Sequence, residues 1–271
     1  MIGSHPECQY ASTHAGGCEA EWFAALQAHL GDSFVKIYAS SLLMIRMAVF
    51  IRRDHYWKVS NIQGSKVPTG VGGVIGNKGG IGVSFNFNET KLCFIGSHLA
   101  AHIEKVAMRN SSYRAIIEGL KSHISGWTTD FLNNFHHVFW CGDLNYRVTL
   151  PRDTTLALIE EGEGSRPTLL EADQLMAEKA AGRCFYGFHE IPISFNPSYR
   201  FNRGDRTYSE EKLRTPSWCD RVLWRNLPDC DVTPLSYDCA TQIVTSDHSP
   251  VSACFHVDTR LPNLISTNPR C

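Results

Sequence analysis

The sequence predicts an α/β fold, a β-sandwich with flanking α-helices, and three observations carry that expectation. Short runs rich in β-branched and aromatic residues, at 34–39, 42–51, 81–87, 91–97, 138–141 and 251–257, read as strands. Stretches with apolar residues three and four apart, at 18–30, 104–121 and 167–181, read as helices. Four strands also begin or end in a polar cluster: Ser97-His98-Leu99, Gly142-Asp143-Leu144-Asn145, Trp218-Cys219-Asp220-Arg221 and Ser246-Asp247-His248. One such cluster is ordinary turn chemistry. Four of them, holding two histidines, three aspartates and an asparagine, argue for a single catalytic face.

Taken in order, residues 1–9 read as a strand end running into a loop that presents Glu7. A helical stripe follows, with Trp22, Phe23, Leu26 and Leu30 on one side. After the strands at 34–39 and 42–51, the polar residues 54–65 read as a loop. Residues 69–82 contain seven glycines and resemble a phosphate loop, but Lys78 between Asn77 and Gly79 breaks the required spacing. A turn feeding the next strand is the expectation there. Ile81, Val83, Phe85 and Phe87 then alternate with small or polar residues, the pattern of a half-buried strand, and 91–97 is its hairpin partner. That partner ends at His98, and a histidine at a strand end is more often a hydrogen-bonded structural residue than a catalytic one.

With 271 residues, 43% of them hydrophobic and 20% charged, the chain can bury a substantial core as one large domain or two small ones. A formal net charge of -1 does not suit a protein that grips a nucleic-acid backbone, so any anionic ligand must meet local positive charge. The ten cysteines show neither a CxxC pair nor zinc-type spacing. Cys93, Cys141 and Cys254 sit in apolar runs and read as reduced core residues of a cytosolic protein. Residues 42–51, the longest apolar stretch, are interrupted by Arg46 and too short to span a bilayer. No cleavable apolar segment opens the chain, and the sequons at Asn88 and Asn110 are expected to be unused.

The chemistry centres on 138–147. An apolar strand, 138–141, is ended by Gly142, and Asp143 and Asn145 follow two residues apart. In an extended segment such residues share a side. A carboxylate would then stand beside a carboxamide, an acceptor for a proton or metal next to a neutral donor for an anionic oxygen, as phosphoester hydrolysis requires. The same residues also suit an Asx turn. Downstream, 199–214 carries Arg200, Arg203, Arg206, Lys212 and Arg214 against Asp205, Glu210 and Glu211, a net +2. Asp247-His248, just before a strand, is either a turn or half of an acid/base dyad. Glu7 adds a carboxylate suited to a hard cation such as Mg²⁺.

These stretches resemble the catalytic domain of the inositol polyphosphate 5-phosphatases, within the endonuclease/exonuclease/phosphatase fold superfamily. The most specific are Gly76-Asn77-Lys78-Gly79, Gly142-Asp143-Leu144-Asn145-Tyr146-Arg147, Phe195-Asn196-Pro197-Ser198-Tyr199-Arg200 and Pro216-Ser217-Trp218-Cys219-Asp220-Arg221. The resemblance implies a four-layer α/β sandwich of two packed mixed β-sheets flanked by α-helices. It would occupy residues 1–258, followed by a tail at 259–271. It implies Mg²⁺-dependent removal of the 5-phosphate from a phosphoinositide lipid or a soluble inositol polyphosphate. Glu7 would hold the metal. Asp143 would orient and deprotonate the attacking water, and Asn145 would donate to the phosphoryl oxygens. His98 and His248 would neutralise the scissile phosphate, with Asp220 pairing His248 and Asp247 on the water and metal side. Tyr199, Arg200 and Lys212 would grip the 4-phosphate, and Lys78 another ring phosphate. The expected protein is a cytoplasmic monomer that visits membrane surfaces and does not bind nucleic acid.

Two departures from the pattern set further expectations. The family carries a strand ahead of the Ile2-Gly3 position that this sequence lacks, and Gly3-Ser4-His5-Pro6-Glu7 is one residue longer than usual. Weak Mg²⁺ binding and slow turnover are therefore expected of the chain as written. The alternatives are a catalytically weak or inactive phosphoinositide-binding module, and a nuclease of the same fold.

Overall fold

The structure, a computed structural model, describes residues 15–70, 77–124 and 130–259. Its elements, in order, are α1 (Ala15–Leu30), β1 (Phe34–Leu42), β2 (Ile45–Arg52), β3 (Val59–Pro68), β4 (Gly79–Phe87) and β5 (Thr90–His98). They continue with α2 (Val106–Ile124), β6 (His137–Asp143), α3 (Arg152–Glu161), α4 (Arg166–Glu171), α5 (Gln174–Ala180), β7 (His189–Glu190), β8 (Asp220–Asn226), β9 (Val232–Cys239) and β10 (Val251–Val257).

A six-stranded sheet of order β3-β4-β5-β6-β8-β7 forms the centre. It is mixed: β5 and β6 run parallel, joined by the α2 crossover, and every other pair is antiparallel. Alternation along the strands sorts the side chains onto two faces. One face sends Cys93, Ile95, Val138 and Trp140 against Tyr113, Ile116 and Leu120 of α2 and against Phe185 and Phe188. On the other face Phe85, Phe94 and Phe139 stack in a row that reaches Phe255 of β10, with ring centroids 5.8, 5.3 and 5.2 Å apart. This second face is covered by the β1–β2 and β9–β10 hairpins, and α1 packs outside β1. The layered α/β architecture is as expected. Among the described residues the second β-layer is two separate two-stranded antiparallel sheets rather than one mixed sheet.

Local expectations differ from the structure in several places. The polar stretch 54–65 is not a loop: a short 3₁₀ turn, Arg53–Lys58, leads into β3. As the edge strand it leaves most of its residues exposed, so the alternation that marks a half-buried strand never arises. Gly79, Gly80 and Gly82 belong to β4 instead of a turn. A Cβ on Gly80 would meet Ile116 at 2.9 Å and one on Gly82 would meet Leu120 at 2.6 Å, so these glycines let α2 lie close on the sheet. The helix expected at 167–181 is split into α4 and α5, because Asp173 caps α5 by accepting from the Met176 amide at 3.0 Å. The seven described cysteines are free thiols, but only Cys93 of the three expected in the core is buried; Cys141 and Cys254 are exposed. Asn110, in one of the two sequons, is buried and donates to Glu178 at 2.6 Å.

Candidate active site

Strand register builds the site. His98, Asp143 and Asp220 are direct partners across β5, β6 and β8, so they form one row at the end of the hairpin-covered face. The row is close because of Gly142. Its φ is +130°, and a Cβ there would fall 2.1 Å from the Ser97 carbonyl oxygen. The strand runs one residue past Gly142 and includes Asp143.

Each carboxylate of the row holds a histidine. Asp143 Oδ2 lies 3.1 Å from His98 Nε2, and Asp220 Oδ2 lies 2.8 Å from His248 Nδ1. Ser198 Oγ also donates to Asp220 Oδ2 at 2.8 Å. Burial works against charge on Asp143, but the His98 hydrogen bond and the charges of His248, His98 and Arg147 outweigh it, so its carboxyl stays below the usual range. For Asp220 burial wins over the His248 hydrogen bond, helped by the nearby Asp143 charge, and its carboxyl is pushed up. Burial disfavours imidazolium at His248, yet Asp220, Asp143 and Asp247 raise it above its ordinary value.

Asn145 does not continue the strand. Its φ of +57° is left-handed, and its backbone N–H donates to Asp143 Oδ1 at 3.1 Å, which is an Asx turn. The extended geometry that would put the two side chains on one side is therefore absent, and the Asn145 carboxamide is held instead by Arg147 and the Leu99 carbonyl. Lys78, immediately before β4, places Nζ against His98 Nε2. It thus stands at the row of histidine and carboxylates. Burial lowers its ammonium below the ordinary value, Asp143 opposing and Arg147 adding to the shift.

A second group lies beside the row. Tyr199 is buried, its ring centroid 4.4 Å from that of His248, and its hydroxyl accepts from Arg214 Nη1. Arg147, Lys212 and Arg214 line a cavity of about 390 Å³ with His102 and Glu104. Arg200 lines another cavity, because its guanidinium is engaged by Asp247 Oδ2 at 3.2 Å and Glu211 Oε2 at 2.6 Å. Of the three residues expected at the 4-phosphate, the structure places Lys212 on the first cavity and Tyr199 behind it, while Arg200 braces Asp247. Arg147 and Arg214 are the cations that sequence reasoning missed. Both stand in the motifs quoted above or in the basic segment, but charge alone does not say which arginine is already neutralised. A larger cavity, about 800 Å³ between β2 and the β4–β6 face, has mostly apolar walls and suits no phosphate, although His98 and Asp143 reach its end.

Oxygen donors of carboxylate and carboxamide type suit a hard divalent cation. Among the described residues no three His, Cys, Asp or Glu side chains converge to hold one. Glu7, the expected ligand, lies outside the described residues.

Two carboxylates, each paired with a histidine, thus lie beside a cavity walled by Arg147, Lys212 and Arg214. The sequence matches the endonuclease/exonuclease/phosphatase family 2 over residues 3–254. It is 38% identical over 265 residues to phosphatidylinositol 3,4,5-trisphosphate 5-phosphatase 2B of Danio rerio, covering 93% of this chain and 21% of that protein. The chain thus spans about a fifth of the length of the curated relatives it matches. The inositol polyphosphate 5-phosphatase domain of SPsynaptojanin, solved with inositol (1,4)-bisphosphate and a calcium ion, superposes with a TM-score of 0.78 at 30% identity, over 89% of this chain and 70% of that one. A Cimex nitrophorin superposes at 0.72 with 23% identity, over 92% of this chain and 82% of that one, and shares the fold alone. The chain belongs to the endonuclease/exonuclease/phosphatase family, in its inositol polyphosphate 5-phosphatase branch.

Proposed function

We propose that this chain hydrolyses the 5-phosphate of a phosphoinositide or soluble inositol polyphosphate, in the presence of Mg²⁺, through water oriented by Asp143. The observation that carries the reading is the register row of His98, Asp143 and Asp220, completed by His248, next to the cavity of Arg147, Lys212 and Arg214. The names of the relatives support the substrate class.

Phosphate monoesters hydrolyse so slowly unaided that an enzyme must supply up to ~10²¹-fold acceleration. Positioning and charge neutralisation must provide most of it. Asp143, held ionised, accepts hydrogen bonds from water and takes its proton. His248, kept protonated by Asp220, and Lys78, beside His98, face the phosphoryl oxygens with positive charge. Asn145 has one amide hydrogen on the Leu99 carbonyl at 3.1 Å and a second left for a phosphoryl oxygen. Glu7 would be among the ligands of Mg²⁺, which would supply further charge neutralisation. Lys212, with Arg214 bonded to the Tyr199 hydroxyl, grips the neighbouring 4-phosphate.

Access to a lipid headgroup follows from the rim of the cavity. Ile103 and Leu213, 45% and 69% exposed, flank the cationic walls and can dip into a bilayer surface while the phosphates enter. No helix among the described residues is long and apolar enough to cross a membrane. The reading is of a cytoplasmic monomer that acts at membrane surfaces.

The test is phosphate release from a 5-phosphorylated inositide with Mg²⁺ and with excess EDTA. Release that EDTA abolishes and Mg²⁺ restores is expected. Binding of the inositide without release would leave a binding module, and release from DNA in its place would make the chain a nuclease.

A further inference from the structure

Arg147 lines the cavity and adds to the charge around Asp143, but neither role accounts for its hold on Asn145. Its Nε donates to the Asn145 carbonyl oxygen at 3.1 Å, and its Nη2 donates to Asn145 Oδ1. Nδ2 of the same carboxamide donates to the Leu99 carbonyl oxygen. A carboxamide has an oxygen that accepts and a nitrogen with two hydrogens. With the oxygen on Arg147 and one hydrogen on Leu99, its orientation is fixed and one N–H is left over. Flipping it would set the NH₂ group against the guanidinium and leave the Leu99 carbonyl facing an oxygen. On its other side Arg147 lies 4.6 Å from the centre of the Tyr199 ring. That ring contacts His248, and its hydroxyl is bonded to Arg214 on the cavity wall. Arg147 itself is 5% exposed, packed between the two groups it joins.

We infer that Arg147 is a positioning residue that couples occupancy of the 4-phosphate cavity to the orientation of Asn145. A phosphate on Lys212 and Arg214 steadies Tyr199, Tyr199 steadies the guanidinium, and the guanidinium holds the spare Asn145 N–H toward the scissile phosphoryl group. The inference rests on the proposed function. It means that the 4-phosphate speeds the chemical step as well as tightening binding, since remote binding energy is then used at the reacting centre.

The experiment compares wild type, Arg147→Met, Arg147→Lys and Tyr199→Leu on two soluble substrates. One carries vicinal 4,5-phosphates and the other has the 5-phosphate without the 4-phosphate. In wild type kcat should be higher on the first. Arg147→Met should lower kcat on that substrate by about tenfold or more while KM moves less than about threefold, bringing the two kcat values together. Arg147→Lys should not restore the difference, because one ammonium cannot hold two oxygens and lie on the ring. A thermal melt accompanies each variant. If Arg147→Met fails to fold, Tyr199→Leu must show the same convergence of kcat. Equal fractional losses on both substrates, or a loss confined to KM, would overturn the coupling. A wild-type chain that releases no phosphate from either substrate would instead remove the proposed function, a result seen before any variant is compared.

Discussion

Asp143 and Asp220 face each other in register on β6 and β8, and each binds one histidine, yet their carboxyls are displaced in opposite directions. Asp143 is surrounded by His98, His248 and Arg147, so its charge is favoured despite burial. Asp220 sits against Asp143 and has His248 and Ser198 for support, and burial prevails. Similar residues in one row thus come to different tasks. In the proposed function the first would serve as the ionised base, and the second would favour the charged form of the His248 imidazole. Charge surroundings divide the work, since sequence context and strand position are nearly the same.

Removing the ionised member should cost most. Asp143→Asn keeps the shape and the Asx-turn acceptor but cannot take a proton. Turnover should fall by about 10²–10⁴-fold, the usual worth of a general base, with little change in thermal midpoint. Phosphate release beside a melt checks it, and a variant retaining a tenth of its activity would show that the roles of the two carboxylates are assigned wrongly.

Asp220→Asn should cost less, about ten- to a hundredfold, as loss of a carboxylate that orients a functional histidine does elsewhere. It should also move the pH profile. His248 is raised above its ordinary value of 6.5 chiefly by Asp220 once burial is overcome, so its charge persists below the raised value and is lost as pH climbs through it. The stability that this proton brings is likewise complete below 6.5 and lost on the alkaline side. Without the Asp220 charge the alkaline limb of kcat/KM should shift to lower pH. An unmoved limb would mean that another group sets it. Asp143, lowered from 3.8, contributes stability above that value and loses it as pH falls further, so it leaves the neutral range flat.

Ser198→Ala makes the smallest change, deleting the 2.8 Å bond to Asp220 Oδ2. Such a bond is worth about 1 kcal/mol net. A loss of a few-fold in kcat is expected, with the alkaline limb moving little. A loss as large as that of Asp220→Asn would show that the serine, rather than the neighbouring charges, sets the state of Asp220.

His98, Asp143, Asp220 and His248 were legible in the sequence because each interrupts an apolar run at a strand end, where a polar residue must find a partner. Their row was not legible, since alternation within a strand says nothing of the register between strands. The division of the basic segment was equally hidden. Arg200 and Arg214 look alike in sequence, and only the fold brings Asp247 and Glu211 to the first and Tyr199 to the second. Edge strand β3 escaped notice because an exposed edge carries no apolar alternation. The layering, by contrast, followed from the strands and the α2 stripe, whose packing partners are ordinary apolar residues.

Gly142 gives the site a dependence of another sort. It has no functional group, yet its place between Ser97 and Asp143 can be filled by hydrogen alone. A scan of all substitutions along the chain should find catalytic positions that tolerate chemically related residues to some degree, and position 142 tolerating none. Selection on this chain would then hold an inert residue as firmly as a reactive one. Natural variation there would be silent about chemistry and informative about how close two strands must come.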